Sequence, residues 1–153
     1  MAFMTRERGP VPPVILLAVI LVQIGLHLWL PIAEIVPEPW HWSGVMLIIL
    51  GVVIIGSKAV AFRRAATTVI PFEESSSLVV SGLYRYTRNP MYVGMVIILL
   101  GVATLTGSLS PFVGPVVFIP LLNSRVIRHE ETMLESQFGQ DYNNYKAQVR
   151  RWI

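Results

Sequence analysis

Two short stretches of this 153-residue chain concentrate side chains able to do chemistry. The first, Gly82-Leu83-Tyr84-Arg85-Tyr86-Thr87-Arg88-Asn89-Pro90-Met91-Tyr92-Val93-Gly94, leads into a long apolar run. Proline suits the first position of a helix, and Asn89 stands where a capping side chain would. The open N–H groups of such a helix start, with Arg85 and Arg88 nearby, favour an anion or a carboxylate. The plainer reading makes the arginines topology-setting charges and Tyr84, Tyr86 and Tyr92 interfacial aromatics. The second stretch is Arg125-Val126-Ile127-Arg128-His129-Glu130-Glu131, followed by Leu134, Phe138, Gly139, Tyr142 and Tyr145. Adjacent carboxylates on a helix point about 100° apart, which argues against a paired-carboxylate hydrolase. Their plainer reading is ion pairing with Arg125 and Arg128 at a helix end. Leu134, Phe138, Tyr142 and Tyr145 recur at helical spacing and give an apolar-aromatic face able to lie against the end of a bundle, with Gly139 interrupting it.

The elements that must position these stretches are membrane helices. The chain is 54% hydrophobic and 14% charged, with a mean hydropathy of +0.61, outside the usual soluble balance. Without cysteine it has no disulfide, no thiolate nucleophile and no Cys-based metal site, and no metal-ligand motif stands elsewhere. Its basic residues form no continuous stripe, so the pI near 9.6 does not point to nucleic acid. Apolar runs at about 14–33, 40–62, 91–108 and 109–127 are expected to be four membrane-embedded segments, each near the roughly 20 residues that cross a hydrocarbon core. The first is expected to be retained rather than cleaved as a signal peptide. Trp40 and Trp42 suit the headgroup level, and Lys58 is expected to snorkel to the surface.

Spans three and four are joined by the small-residue turn Gly107-Ser108-Leu109-Ser110-Pro111 and read as a tight hairpin. Pro111, Pro115 and Pro120 disfavour a straight fourth helix, so a kinked or incomplete crossing is expected there. Two basic residues precede span one, five lie from the end of span two (Lys58) to the start of span three, and five follow from Arg125, with none in the other connections. The positive-inside rule then places both termini, the 63–90 loop and the 128–153 segment in the cytoplasm. The loop carries two β-prone pieces, 67–70 and 78–80, around a turn at 71–77. The expected architecture is an all-α, single-domain membrane bundle.

The two stretches resemble those of the membrane methyltransferases that include isoprenylcysteine carboxyl methyltransferases and phospholipid N-methyltransferases. The first matches Gly-x-Tyr-x-x-x-Arg-His-Pro-x-Tyr-x-Gly at Gly82, Tyr84, Arg88, Pro90, Tyr92 and Gly94, with Asn89 where many members carry His. An amide still offers a donor and an acceptor, but not an imidazole's acid–base chemistry. The second matches Glu-Glu-x-x-Leu-x-x-x-Phe-Gly-x-x-Tyr-x-x-Tyr at Glu130, Glu131, Leu134, Phe138, Gly139, Tyr142 and Tyr145.

This resemblance implies S-adenosylmethionine as methyl donor, S-adenosylhomocysteine as product, and a lipophilic acceptor drawn from the bilayer. It places Tyr84, Asn89, Pro90, Tyr92, His129 and Glu130 at the cofactor, Glu130 toward its amino group or ribose. Arg88, Arg125 and Glu131 are the expected catalytic residues: the arginines pair with a carboxylate of cofactor or substrate, assisted by Arg128, and Glu131 or His129 serves as base if the acceptor is an ammonium. A sulfonium donor is already activated, so positioning, desolvation and a lone pair suffice and no metal is needed. The first expectation for the acceptor is an isoprenylcysteine-type carboxylate and the second a phospholipid amine. Readings from other classes are a small transporter, for which His27 and the boundary Lys58 are the candidate ionisable groups and the spans hold no carboxylate, or a silent membrane scaffold.

Overall fold

The computed structural model describes residues 11–64 and 78–153, and within these the side chains of 58, 59 and 61–64 fall outside the description. Six α-helices follow one another: α1 Pro12–Trp29, α2 Ser43–Arg64, α3 Pro90–Thr106, α4 Val113–Leu122, α5 Arg128–Phe138 and α6 Gln140–Gln148. Among the described residues there is no strand, and an isolated bridge joins Glu34 to Ser108. Residues 78–80, expected to be β-prone, form no strand; the 67–70 piece, the 71–77 turn and the Lys58 side chain lie outside the described residues. The all-α expectation holds.

Three helical stretches are long and apolar enough to cross a membrane: Pro12–Trp29, Trp40–Ser57 and Ser110–Phe138; Pro90–Thr106 is apolar but shorter. Their outward faces carry exposed apolar side chains such as Val14, Leu17, Leu21, Met46, Val53 and Val116, as contact with lipid tails requires. This is a multi-pass membrane protein. The first helix stops short of its expected end because Pro31 disfavours helical backbone in the residue before it.

The fourth segment is helical throughout but departs from regular α geometry in two places. A 3₁₀ turn at Ser110–Phe112, α4, a π-helical turn at Asn123–Ile127 and α5 run on as one 29-residue helical stretch. At Pro115 a neighbouring helix supplies a donor in place of the one that the proline lacks. Pro115 has no N–H for the carbonyl of Pro111, four residues earlier. Gln23 on α1, fully buried, donates from Nε2 to that Pro111 carbonyl at 2.8 Å and to the Leu99 carbonyl at 3.0 Å. Gly114 leaves room for it, since a Cβ there would stand 2.6 Å from Gln23 Cδ. At about 1.5 Å per residue the stretch exceeds a hydrocarbon core of about 30 Å, so part of it stands clear of the bilayer.

α2 and α3 pack antiparallel through paired glycines. Gly44 faces Gly101 and Gly51 faces Gly94, and a Cβ on Gly51 would lie 2.6 Å from the Gly94 carbonyl oxygen. In lipid such close backbone approach replaces the hydrophobic drive that water would supply. On its other side α3 forms the core with α1 and α4: Tyr92, Met95 and Leu99 meet Ile15, Phe118, Leu122, Val126 and Ile127. Gly107, at φ +76°, ends α3 and accepts from Ile35 and Val36 N–H at 2.9 and 3.1 Å, tying the hairpin to the α1–α2 connection.

Candidate active site

The two motif stretches meet at the N-terminal end of α3. Gly82, at φ +64°, opens a 3₁₀ turn Gly82–Arg85 in a backbone region that favours glycine, and the chain then turns into α3 with Pro90 buried at its first position. Asn89 occupies the N-cap position without capping: its Nδ2 instead donates to the Arg151 carbonyl at 2.9 Å. Tyr92, one helical turn further, is buried and donates from its hydroxyl to Glu130 Oε1 at 2.8 Å. Because Glu130 stands in the first turn of α5, this bond joins the pre-α3 stretch to the segment beyond the π turn.

Glu131 points into a second cluster. It is 8% exposed, and Arg88 Nη1 reaches its Oε1 at 2.9 Å while Arg151 makes a fork of 3.0 and 2.6 Å to both carboxylate oxygens. Arg88 Nη1 also lies 3.4 Å from the buried Tyr142 hydroxyl, and Arg88 Nε is buried with no acceptor among the described residues. Two guanidiniums against one carboxylate leave a positive excess here. The contact with Glu131 raises the Arg151 pKa further, and burial raises those of Tyr84, Tyr142 and Tyr145, so these phenols stay neutral at any physiological pH.

The last residues bind the cluster together. Arg150 and Arg151 offer backbone carbonyls to Arg88 N–H at 2.9 Å, Thr87 Oγ1 at 3.2 Å and Asn89 Nδ2, and Trp152 Nε1 donates to Asn123 Oδ1 in the π turn at 3.2 Å. Tyr145 donates to the Tyr84 carbonyl at 2.7 Å. α6 and the tail therefore lie across the pre-α3 stretch.

Several sequence expectations are redistributed by this geometry. Glu130 and Glu131 pair with Tyr92, Arg88 and Arg151 rather than with Arg125 and Arg128, which are exposed and form no ion pair among the described residues. Glu131, expected as a base, has both oxygens engaged by guanidiniums. Arg125, His129 and Arg85 are exposed. Tyr84, Asn89, Pro90, Tyr92 and Glu130 are brought together around the start of α3. Arg151 and Trp152 were not foreseen, because they lie beyond both motifs; the one signal was that a carboxylate buried at a helix end needs a cation. A cavity of about 380 Å³ lined by His27, Glu34, Glu38 and His41 sits at the opposite end of α3 and contains no motif residue.

Residues 39–141 match the family described as phospholipid methyltransferase. The chain belongs to this family. A probable protein-S-isoprenylcysteine O-methyltransferase of Oryza sativa subsp. indica is 30% identical over 116 residues, covering 73% of this chain and 61% of the relative. The protein-S-isoprenylcysteine O-methyltransferase of Schizosaccharomyces pombe is 40% identical over 75 residues, 47% of this chain and 30% of that one. The solved eukaryotic intramembrane Ras methyltransferase ICMT superposes with a TM-score of 0.66 over 95% of this chain and 52% of that chain at 24% identity, a likeness of fold. The chain thus spans less than two thirds of these isoprenylcysteine methyltransferases. The phospholipid methyltransferase match ends at residue 141, short of the tail that closes the cluster.

The donor set suits S-adenosylmethionine. Its amino-acid carboxylate asks for a guanidinium and its ammonium for a carboxylate; Arg88, whose buried Nε has no acceptor among the described residues, and Glu130, bonded to Tyr92, are groups of these kinds.

Proposed function

We propose that this chain is an integral-membrane methyltransferase that takes its methyl group from S-adenosylmethionine and transfers it to the carboxylate of a lipophilic, isoprenylcysteine-type acceptor. The observation that carries this reading is the convergence of both motif stretches in one network, Tyr92 on Glu130 and Arg88 on Glu131, at the end of a membrane bundle of this family. When bound, S-adenosylmethionine supplies an activated methyl group on a sulfonium. The protein's part is to hold and desolvate. Glu130 takes the donor's ammonium or ribose, Arg88 a carboxylate, and Tyr84, Asn89, Pro90 and Tyr92 the adenosyl portion, while α6 and the tail exclude water.

The choice of a carboxylate acceptor follows from the engaged base. An ammonium acceptor must lose a proton first, yet Glu131 has its oxygens taken by Arg88 and Arg151; a carboxylate is already nucleophilic at neutral pH. The family's description favours the second reading, a phospholipid amine. Four spans with both termini, the 63–90 loop and the site on the cytoplasmic side fit the one-sided distribution of Lys and Arg, and would place the network where a water-soluble donor is available.

The test is turnover of the detergent-solubilised chain with isotope-labelled methyl donor, offered in parallel a farnesylated cysteine with a free carboxylate and phosphatidylethanolamine in mixed micelles. Label that alkali releases as methanol marks an ester and supports the reading. Alkali-stable label in the phospholipid would transfer it to the amine class, and label in neither, with no saturable donor binding by calorimetry, would remove it.

A further inference from the structure

The Glu131 cluster contains one cation more than it needs for its carboxylate, and the two cations are used differently. Arg151 holds Glu131 with a two-pronged fork, whereas Arg88 touches it through a single nitrogen that Tyr142 shares. Arg88 is 10% exposed, and its Nε, buried, has no acceptor among the described residues. A guanidinium with an unmet buried N–H beside a carboxylate would ordinarily turn to grip that carboxylate in bidentate fashion, the stronger geometry. Arg151 already occupies that face.

We propose that Arg151 is a positioning residue: by satisfying Glu131 it keeps Arg88 from being captured, so that part of the Arg88 guanidinium stays available for the carboxylate of an incoming ligand. The role suits its location. Arg151 lies in the tail, and its backbone carbonyl is gripped by Thr87 and Asn89, the residues on either side of Arg88. The Arg88 N–H in turn holds the Arg150 carbonyl. Tail and Arg88 are therefore fixed relative to each other by backbone contacts that do not depend on the Arg151 side chain. Replacing that side chain changes the charge balance at Glu131 while leaving the strap's main-chain bonds in place.

This inference rests on the methyltransferase reading, and second-site rescue separates the two. Arg151→Gln frees Glu131 to take Arg88, and donor affinity or acceptor KM should worsen about tenfold or more, the scale of a lost charged hydrogen bond, with kcat changed less. Arg151→Lys restores a cation without the fork and should fall between. The double variant Glu131→Gln, Arg151→Gln removes the captor and should recover to within about threefold of the wild type, a non-additivity that a merely structural anchor would not produce. Thermal melts of each variant in detergent check that it is folded. A folded Arg151→Gln variant with wild-type KM and donor affinity, or a folded double variant no better than Arg151→Gln, overturns the proposal while leaving the function standing. A wild-type chain that neither binds donor nor turns over removes the function and this role with it.

Discussion

Tyr92 donates to Glu130 at 2.8 Å across the gap between the start of α3 and the start of α5, so one hydrogen bond links the two motif stretches directly. Tyr92 is 2% exposed, so its hydroxyl makes this bond away from bulk water. The bond fixes the direction of the carboxylate. Glu130→Ala is therefore expected to weaken S-adenosylmethionine binding by about 1.5–3 kcal/mol while leaving folding and membrane insertion intact. Calorimetric titration checks the affinity; an unchanged value would take Glu130 out of the site. Tyr92→Phe, which loses the orienting hydroxyl and keeps the ring, should cost less.

What the sequence made readable here divides along a physical line. Apolar runs, the hairpin turn and the Gly139 interruption follow from local composition and backbone freedom, and α5 does end at Gly139 with φ +51°. The partners of charged groups do not follow. Glu131 has Arg128 three residues away, yet it is held by Arg88 and Arg151 from distant parts of the chain, because burial makes a well-formed fork worth more than an exposed local pair. How Pro115 is accommodated does not follow either: the donor to the Pro111 carbonyl, Gln23, belongs to another helix.

The glycine pairs predict a graded response. Gly51→Ala and Gly94→Ala each place a methyl within 3 Å of the opposing carbonyl oxygen, so α2 and α3 must separate. Each should lower stability by about 1–3 kcal/mol. Gly56, whose added Cβ would meet nothing within 4 Å, should tolerate Ala without loss. Thermal unfolding in one detergent compares the three.

The buried phenols give a pH signature. Burial raises the pKa values of Tyr84, Tyr142 and Tyr145 above the usual value near 10. Between pH 10 and the raised values the folded state retains protons that the unfolded state has lost. Their stabilising contribution is thus complete below pH 10 and declines as pH rises through the folded values. Melting temperature should fall progressively above pH 10, and Tyr145→Phe, which cannot ionise, should flatten part of that fall while losing its bond to the Tyr84 carbonyl at all pH values.

Gln23 offers the sharpest separation of stability from chemistry. It lies in α1, remote in sequence from both motifs, and its amide bridges Leu99 of α3 and Pro111 at the start of the fourth segment. Gln23→Leu keeps the volume but removes the amide that bridges the Leu99 and Pro111 carbonyls, which in an apolar surrounding costs about 1–3 kcal/mol. Gln23→Glu is the more severe change, since an ionised carboxylate accepts only and would face two carbonyl oxygens. Donor affinity of the folded Gln23→Leu protein should match the wild type, because its contacts lie among the helices and not at Tyr92, Glu130 or Arg88. Melting temperature and calorimetric affinity measured on the same preparation decide it: a stability loss without an affinity loss assigns Gln23 to holding the proline-rich helix in place, whereas equal losses in both would mean that the fourth segment carries the site with it.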